Sequence, residues 1–520
     1  MSEQTQTLAE QERAEATGAK RHLGWALVLI CVAQLMVVLD ATITNIALPN
    51  IQASLDIDFA NLSWIVTGYA LAFGGLLLLG GRLGDLYGRR RVFMIGLVLF
   101  AAASAVGGLA QNEAMLLGSR GVQGLAAALA SPNALALITT TFPAGPRRNR
   151  AFSVFAAMAG IGAAIGLVLG GWLTDLDPDW GWRLTFLINV PIGLGAAFLA
   201  PRLLPDSEHH SGWLDVPGAI TATLGLLSLV FGITRTGNLD PDTIPAGNPQ
   251  AGTPYGWGDP IALTAMIAGV VLLAVFVWLE TRQEHPLMPL RIFANRARAV
   301  AFTSMMITPA AMFAMFYFLS LYVQNVMGYS PLQAGFAFLP FTFGMIAGAT
   351  TSSKLIARMD PRYIAGTGTI LAGLSLFMFH RLEVGSVNYW TDVMPWIVVM
   401  SLGMGLTFVT MTLVSLHGIP SQDAGVGSGV LNTMQQVGGA LGLAVLSTVA
   451  SHYTLDRAKE LVASGTDPQS VGQLAFADGA TSAFLVGAAM IWGASVMIWT
   501  LLNVKHTQLV EDVPEGVAVV

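Results

Sequence analysis

Charge is what this sequence has least of. Asp, Glu, Lys and Arg make up 11% of its 520 residues, where an ordinary soluble chain carries about 25%. With 25 basic and 31 acidic residues, a soluble domain of this length would leave much of its surface apolar, so the chain belongs in lipid. The net charge of −6 excludes a nucleic-acid-binding footprint. Lysine is rare, and none of Lys20, Lys354, Lys459 and Lys505 follows the GxxxxG pattern of a phosphate-cradling loop, which argues against ATP as fuel. The single cysteine, Cys31, excludes an intrachain disulfide and a cysteine-rich metal cluster. No Ser, His, Cys or paired-carboxylate constellation stands at membrane depth, so neither an intramembrane enzyme nor a bound metal is expected.

Hydrophobic residues make up 54% of the chain and fall in long runs. Crossing a hydrocarbon core of ~30 Å takes about 20 apolar residues of helix. Such runs begin near Gly24, Leu62, Val92, Ala114, Ala151, Leu184, Trp213, Pro260, Ala299, Leu332, Tyr363, Val393, Gly425 and Ala480, which predicts fourteen spans. Residues 1–23 lack the apolar core and cleavage site of a signal peptide and read as a cytoplasmic tail, as do residues 503–520. Most Lys and Arg fall on the side of the N-terminus. Arg183, Arg235, Arg381, Arg457 and Lys459 fall on the other, so both termini are expected inside a bacterial plasma membrane.

The two ends of the chain resemble each other. Gly162-AAI-Gly166 in the fifth span is matched by Gly438-GAL-Gly442 in the thirteenth, and Pro143 and Pro420 precede the two spans. The basic stretch Arg82-LGDLYGRR lines up loosely with Lys354-LIARMDPR. This spacing predicts an all-α integral membrane fold of two six-helix bundles, residues 24–201 and 299–502, in parallel repeat. Residues 202–298 then form a linker region with two extra spans, joined by an irregular loop from Arg235 to Asp259 rich in Gly, Pro and Asp. The glycines Gly162, Gly166, Gly170, Gly438 and Gly442 form small-residue ladders that let helix backbones approach.

Four stretches carry a specific resemblance. Gly81-Arg-Leu-Gly-Asp-Leu-Tyr-Gly-Arg-Arg-Arg91 resembles the signature loop GxLaDrxGrkxxl of the major facilitator superfamily, at the position where that family carries it. Leu39-Asp-Ala-Thr-Ile-Thr-Asn-Ile-Ala-Leu-Pro49, Leu117-Gly-Ser-Arg-Gly-Val-Gln-Gly124 and Trp182-Arg-Leu-Thr-Phe-Leu-Ile-Asn-Val-Pro-Ile-Gly193 resemble motifs of its fourteen-span drug:proton antiporter branch. The resemblance implies that Gly81, Asp85, Gly88, Arg89 and Arg90 act as a latch between the two halves. It also implies a proton-coupling role for Arg120. Two positions depart from the branch: Leu167 stands where its span-five motif has proline, and Gln435 where its span-thirteen motif has arginine.

Asp40 and Arg120 are the ionisable residues well inside predicted spans, and such residues are functional by default. At 1.5 Å per residue, Asp40 lies ~24 Å above the inner end of its span and Arg120 ~10 Å below the outer end of its own, so their depths agree to about a turn. They are expected to face one cavity and to compete for protons and substrate, the alternative being a permanent ion pair that fixes packing. His417 is a second proton site by position. Span nine is dense in Met and Phe, as suits a pocket for lipophilic molecules. Asn45, Trp64, Tyr69, Gln123, Phe316, Asn432 and Gln436 are the candidate cavity residues. The expected function is proton-coupled efflux of lipophilic or amphipathic drugs or natural products by a monomer in the bilayer, without cofactor or ATP. A proton symporter, or an exporter dedicated to one lipid, siderophore or antibiotic, is the alternative.

Overall fold

The computed structural model describes residues 2–143, 145–206, 214–243, 252–283, 286–419 and 423–511. Its described regular structure is helical. Long helices run in chain order as α1 (Ser2–Leu55), α2 (Phe59–Tyr87), α3 (Arg89–Gly108), α4 (Glu113–Thr141), α5 (Pro146–Asp175), α6 (Gly181–Leu203), α7 (Val216–Thr236), α8 (Pro260–Arg282), α9 (Arg296–Asn325), α10 (Pro331–Leu355), α11 (Pro361–Phe379), α12 (Tyr389–Leu416), α13 (Ala424–Ala463) and α14 (Pro468–Leu501). A short α15 (His506–Glu511) follows. Thirteen of the described helices are long and apolar enough to cross a membrane. The 40-residue α13 is not one of these.

Local chemistry sets the ends. Asn112 and Asp259 accept the first free amides of α4 and α8 from Met115 (2.9 Å) and Ala262 (2.7 Å). Ser330 and Gln333 form a reciprocal cap on α10. Between α2 and α3 the chain reverses at Gly88, whose φ of +95° is open to glycine at little cost. Several expectations shift. Residues 2–22, read as a tail, continue α1 as helix. The seventh span starts at Val216, where Asp215 accepts the Gly218 amide at 2.8 Å, and Trp213 lies outside the described residues, as do Pro420 and residues 512–520. The last helix starts twelve residues before Ala480, at Pro468. In the loop before Asp259, Leu239 and Pro254 pair across an isolated bridge, and residues 244–251 lie outside the description.

The packing repeats. α5 lies along α1, and α13 lies along α9 in the same way; α4 packs on α2 and α3 as α12 packs on α10 and α11. The paired glycine ladders do this work. A Cβ on Gly166 would overlap Thr42 of α1, and one on Gly442 would overlap Ala310 of α9. The halves meet along two seams. On one, Thr433 Oγ1 of α13 donates to the Gly74 carbonyl of α2 at 3.2 Å, and on the other Gly335 of α10 rests on the Leu167 carbonyl of α5. Leu167 is buried in an unbroken helix. Among the described residues, the extra pair packs on the first seam, through α2 and α13. From α7, Thr234 accepts from Trp64 Nε1 (3.1 Å), while the Ile233 and Gly237 carbonyls accept from Thr448 (3.2 Å) and Ser451 (2.6 Å) of α13.

The two ends of the bundle differ. At the end away from the Gly81–Arg91 stretch, one buried apolar cluster takes Ile46, Ile65, Trp182 and Phe186 from the first half and Tyr317, Tyr322, Phe338 and Phe484 from the second. At the end bearing that stretch the cores are separate. One, with Phe93, Phe100 and Leu137, belongs to α1–α6, and the other, with Ile292, Phe302 and Ile498, belongs to the later helices. A cavity of about 860 Å³ lies between them.

Two predictions follow from this packing. Gly438→Val drives side-chain carbons into the Met306 carbonyl, an overpacking that costs about 1–3 kcal/mol. It should lower the melting temperature in detergent, while Gly425→Ala, which meets nothing within 4 Å, leaves it unchanged. At the end of the chain, His506 presents its ring Nδ1 (2.9 Å) and backbone N–H (3.0 Å) to Asp360, and these hydrogen bonds hold the carboxyl below its usual range. A carboxylate lowered on folding contributes fully above the unfolded pKa of about 3.9 and loses that contribution as pH falls through the folded value. Hydrogen exchange of residues 502–509, referenced to Asp360→Asn, should therefore be slower in the wild type at pH 6 and converge with the variant below pH 4.

Candidate functional site

At the centre of the first half, α1 delivers Asp40 and α4 delivers Arg120 to the same point. Arg120 NH1 donates to Asp40 Oδ2 at 2.5 Å, and both residues are 1% exposed. The other carboxylate oxygen, Oδ1, accepts from Gln123 Nε2 and from Asn189 Nδ2 of α6, each at 3.0 Å. Arg120 Nε donates to the Ile65 carbonyl of α2 (2.8 Å), its NH1 also reaches Gln123 Oε1 (3.0 Å), and its guanidinium lies 4.3 Å from the Tyr69 ring centre. Gln123 Nε2 donates further to Ser104 Oγ of α3 at 2.7 Å. Burial of two charges is tolerable when they are paired and further hydrogen bonds support them, and here both carboxylate oxygens of Asp40 and the Nε and Nη1 of Arg120 are engaged. Both residues are buried and line neither described cavity.

The loop residues read as a latch lie beside the cavity. Gly81, Asp85 and Arg89 line it. Arg89 makes its ion pair with Asp85 of its own loop (3.0 Å), and its NH1 points to the Ala136 carbonyl (3.4 Å). Arg90 donates to the Leu204 carbonyl and pairs with Asp206, each at 2.9 Å. These partners lie in the first bundle or in the segment that directly follows α6, and none lies in the second half. Across the cavity, Arg291 holds Asp423 at 3.0 Å.

The sequence profile of the Major Facilitator Superfamily matches residues 30–443. The chain belongs to that superfamily. Puromycin resistance protein pur8 of Streptomyces alboniger is 36% identical over 95% of this chain and 94% of its own. Cephamycin export protein CmcT of Amycolatopsis lactamdurans is 37% identical over 84% and 87%. Among solved structures, a bacterial homolog of the human lysosomal transporter Spinster, inward-facing and unoccupied, matches with a TM-score of 0.63 and 15% identity over 94% of this chain and 98% of that one. The inward-open xylose transporter XylE from E. coli matches at 0.58 and 12%, over 94% and 99%. These structures show the fold. A major facilitator chain is a multi-pass membrane transporter and not an enzyme.

In this major facilitator chain the candidate cavity residues scatter. Asn432 lines the large cavity. Gln123 and Tyr69 belong instead to the sealed charge network, and Trp64 points to α7. Gln436 abuts Gly74 on the seam, Phe316 packs between Phe338 (5.5 Å) and Phe341 (4.8 Å), and the Asn45 side-chain amide bonds the Ala41 carbonyl at 2.8 Å. Sequence reasoning assigned no role to Asn189 or Ser104. Asn189 sits in a quoted motif, yet an uncharged amide in an apolar run announces no partner. Gln435 reaches Met305 Sδ at 3.6 Å, and His417 caps the end of α12.

Removing one member of a buried pair costs about 3–5 kcal/mol because it strands the other charge. Arg120→Ala should therefore destabilise the purified protein strongly. The double variant Asp40→Asn, Arg120→Gln should melt closer to the wild type than Arg120→Ala alone, as a thermal-shift comparison will read.

Proposed function

We propose that this protein is a proton-coupled exporter of lipophilic or amphipathic drugs or natural products that works by alternating access. The observation that carries the reading is the unequal closure of the two ends: one shared apolar core at one end, and two separate cores flanking a cavity at the other. In the proposed topology α13 is the remaining span, giving fourteen in a six-plus-six repeat with α7 and α8 inserted. The abundance of Lys and Arg supports a cytoplasmic side for the Gly81–Arg91 end and both termini, in a bacterial plasma membrane. The cavity then opens inward, where a toxic compound is collected. The names of the relatives, resistance and export proteins for antibiotics, support export over import. An exporter dedicated to one natural product is the second reading, favoured by the cephamycin relative. A monomer with neither ATP nor cofactor suffices for this mechanism.

Coupling is assigned to the network at Asp40. A proton on Asp40 removes the charge that holds Arg120, so Arg120 must find other acceptors or loosen its bond to the Ile65 carbonyl. Ile65 belongs to the shared core. The same α1 helix carries the carbonyls of Asn45 and Ile46, which accept from Ser320 (3.1 Å) and Gln324 (3.1 Å) of α9 across the closed end. A shift of α1 relative to α4 therefore reaches the contacts that must part for release outside. Separation of those contacts frees the latch loop to engage the second half on the inner side.

Efflux of a fluorescent amphiphilic dye from loaded cells should collapse on adding a protonophore, and Asp40→Asn should fall more than tenfold below the wild type. Protonophore-sensitive efflux at the wild-type rate in Asp40→Asn would remove the coupling role, and dye accumulation driven by an inward proton gradient would mark a symporter.

A further inference from the structure

At the closed end, on the surface of the second half, a separate pocket of about 420 Å³ opens between the end of α9 and the connection from α11 to α12. Its size falls within the range that holds a drug-sized molecule, about 300–1,000 Å³. Three aromatic residues, Tyr329, Tyr389 and Trp390, line it with their rings at differing tilts. Tyr329 and Tyr389 are centred 6.2 Å apart at 45°, and Tyr389 and Trp390 5.2 Å apart at 78°. The Tyr389 hydroxyl is committed to the Ala337 carbonyl at 2.8 Å, which fixes that wall. Tyr322 also lines the pocket, fully buried, and its hydroxyl has no hydrogen-bond partner. Glu383 is the one charged side chain among the lining residues, close enough for its charge to act on Tyr322. Between Glu383 and Tyr389 the chain turns at Gly385, whose φ of +87° lies in the left-handed region and which also lines the pocket.

A pocket lined by several aromatic rings and one carboxylate, with no basic side chain among its lining residues, is poorly matched to an anionic guest and well matched to a positive one. Ring faces attract a cation within about 6 Å of their centres, most strongly one that water solvates weakly. We propose that this pocket binds a lipophilic organic cation, its charge set over Tyr329, Tyr389 and Trp390 and against the Glu383 carboxylate. The ligand is either a free amphiphilic cation or the quaternary ammonium head of a lipid, which share this chemistry. The site lies at the opposite end from the large cavity, and Tyr322 and Tyr389 also belong to the apolar core that joins the halves there.

The test uses the full chain in nanodiscs free of choline lipids, with Cys31→Ser as background and Val387→Cys as reporter inside the pocket. Ser386→Cys serves as a second reporter. The rate of labelling by a charged maleimide is followed with tetraphenylphosphonium, with phosphocholine and with neutral triphenylphosphine oxide. Protection by tetraphenylphosphonium alone identifies a free lipophilic cation, and protection by phosphocholine identifies the lipid head; both support the site. Glu383→Gln, an exposed position, should raise the cation concentration for half-protection about tenfold, and Trp390→Ala should weaken protection while Trp390→Phe keeps it. Protection by neither tetraphenylphosphonium nor phosphocholine, equal protection by the neutral oxide, or unchanged protection in Glu383→Gln would each overturn the proposal. The readout is binding, so it stands or falls independently of whether the protein exports anything.

Discussion

Five helices of the first half converge on one carboxylate. Asp40 on α1 is met by Arg120 and Gln123 from α4 and by Asn189 from α6, while Arg120 and Gln123 extend the set to the Ile65 carbonyl on α2 and Ser104 on α3. In a low-dielectric interior such a set is held all together or not at all, because each unmet donor carries its full desolvation penalty. The relative positions of these helices are thereby fixed in the described state. The helix left out is α5, which touches α1 through a ladder of glycines and carries no polar tie to Asp40. It is also the helix that forms the seam with α10. The first half thus combines a rigid polar hub with one partner attached by shape alone.

The second half is built on the same packing plan without the hub. Where the drug-antiporter branch has an arginine in span thirteen, this chain has Gln435, whose amide reaches the Met305 thioether. Met305, Phe302 and Met411 fill the corresponding core. The asymmetry concentrates charge in one bundle and leaves the other apolar and deformable, with a π-helical stretch at Met315–Leu319 in α9 that widens one turn next to the shared core.

Much of this was legible in the sequence because lipid makes it so. A charge inside an apolar run stands out, and depth arithmetic alone brought Asp40 and Arg120 to one level. Glycines at four-residue spacing announced the helices that touch. What stayed hidden were uncharged partners: Asn189 and Ser104 are small, common in membrane helices and able to satisfy themselves on backbone, so nothing marks them as ligands of a charge. Tyr69 and Trp64 were ambiguous for the opposite reason, since an aromatic ring suits a cavity, an interface or a cation equally. The closed end was also illegible, because its cluster gathers residues from helices hundreds of positions apart and no local pattern encodes it. The short interruption of α2 at Ser63 has no Gly or Pro at the break, whereas that of α6 after Leu187 lies four residues before Pro191, which has no N–H to give the Leu187 carbonyl.

The extra helix pair has one further consequence. Since α7 is tied to α2 on one flank and to α13 on the other, it crosses the seam between those helices like a hinge plate across a door joint. The joint at α5 and α10 has no such plate from this pair. A motion that parts the halves would swing wider at α5 and α10 than at α2 and α13, so the inserted helices make the two joints mechanically unlike.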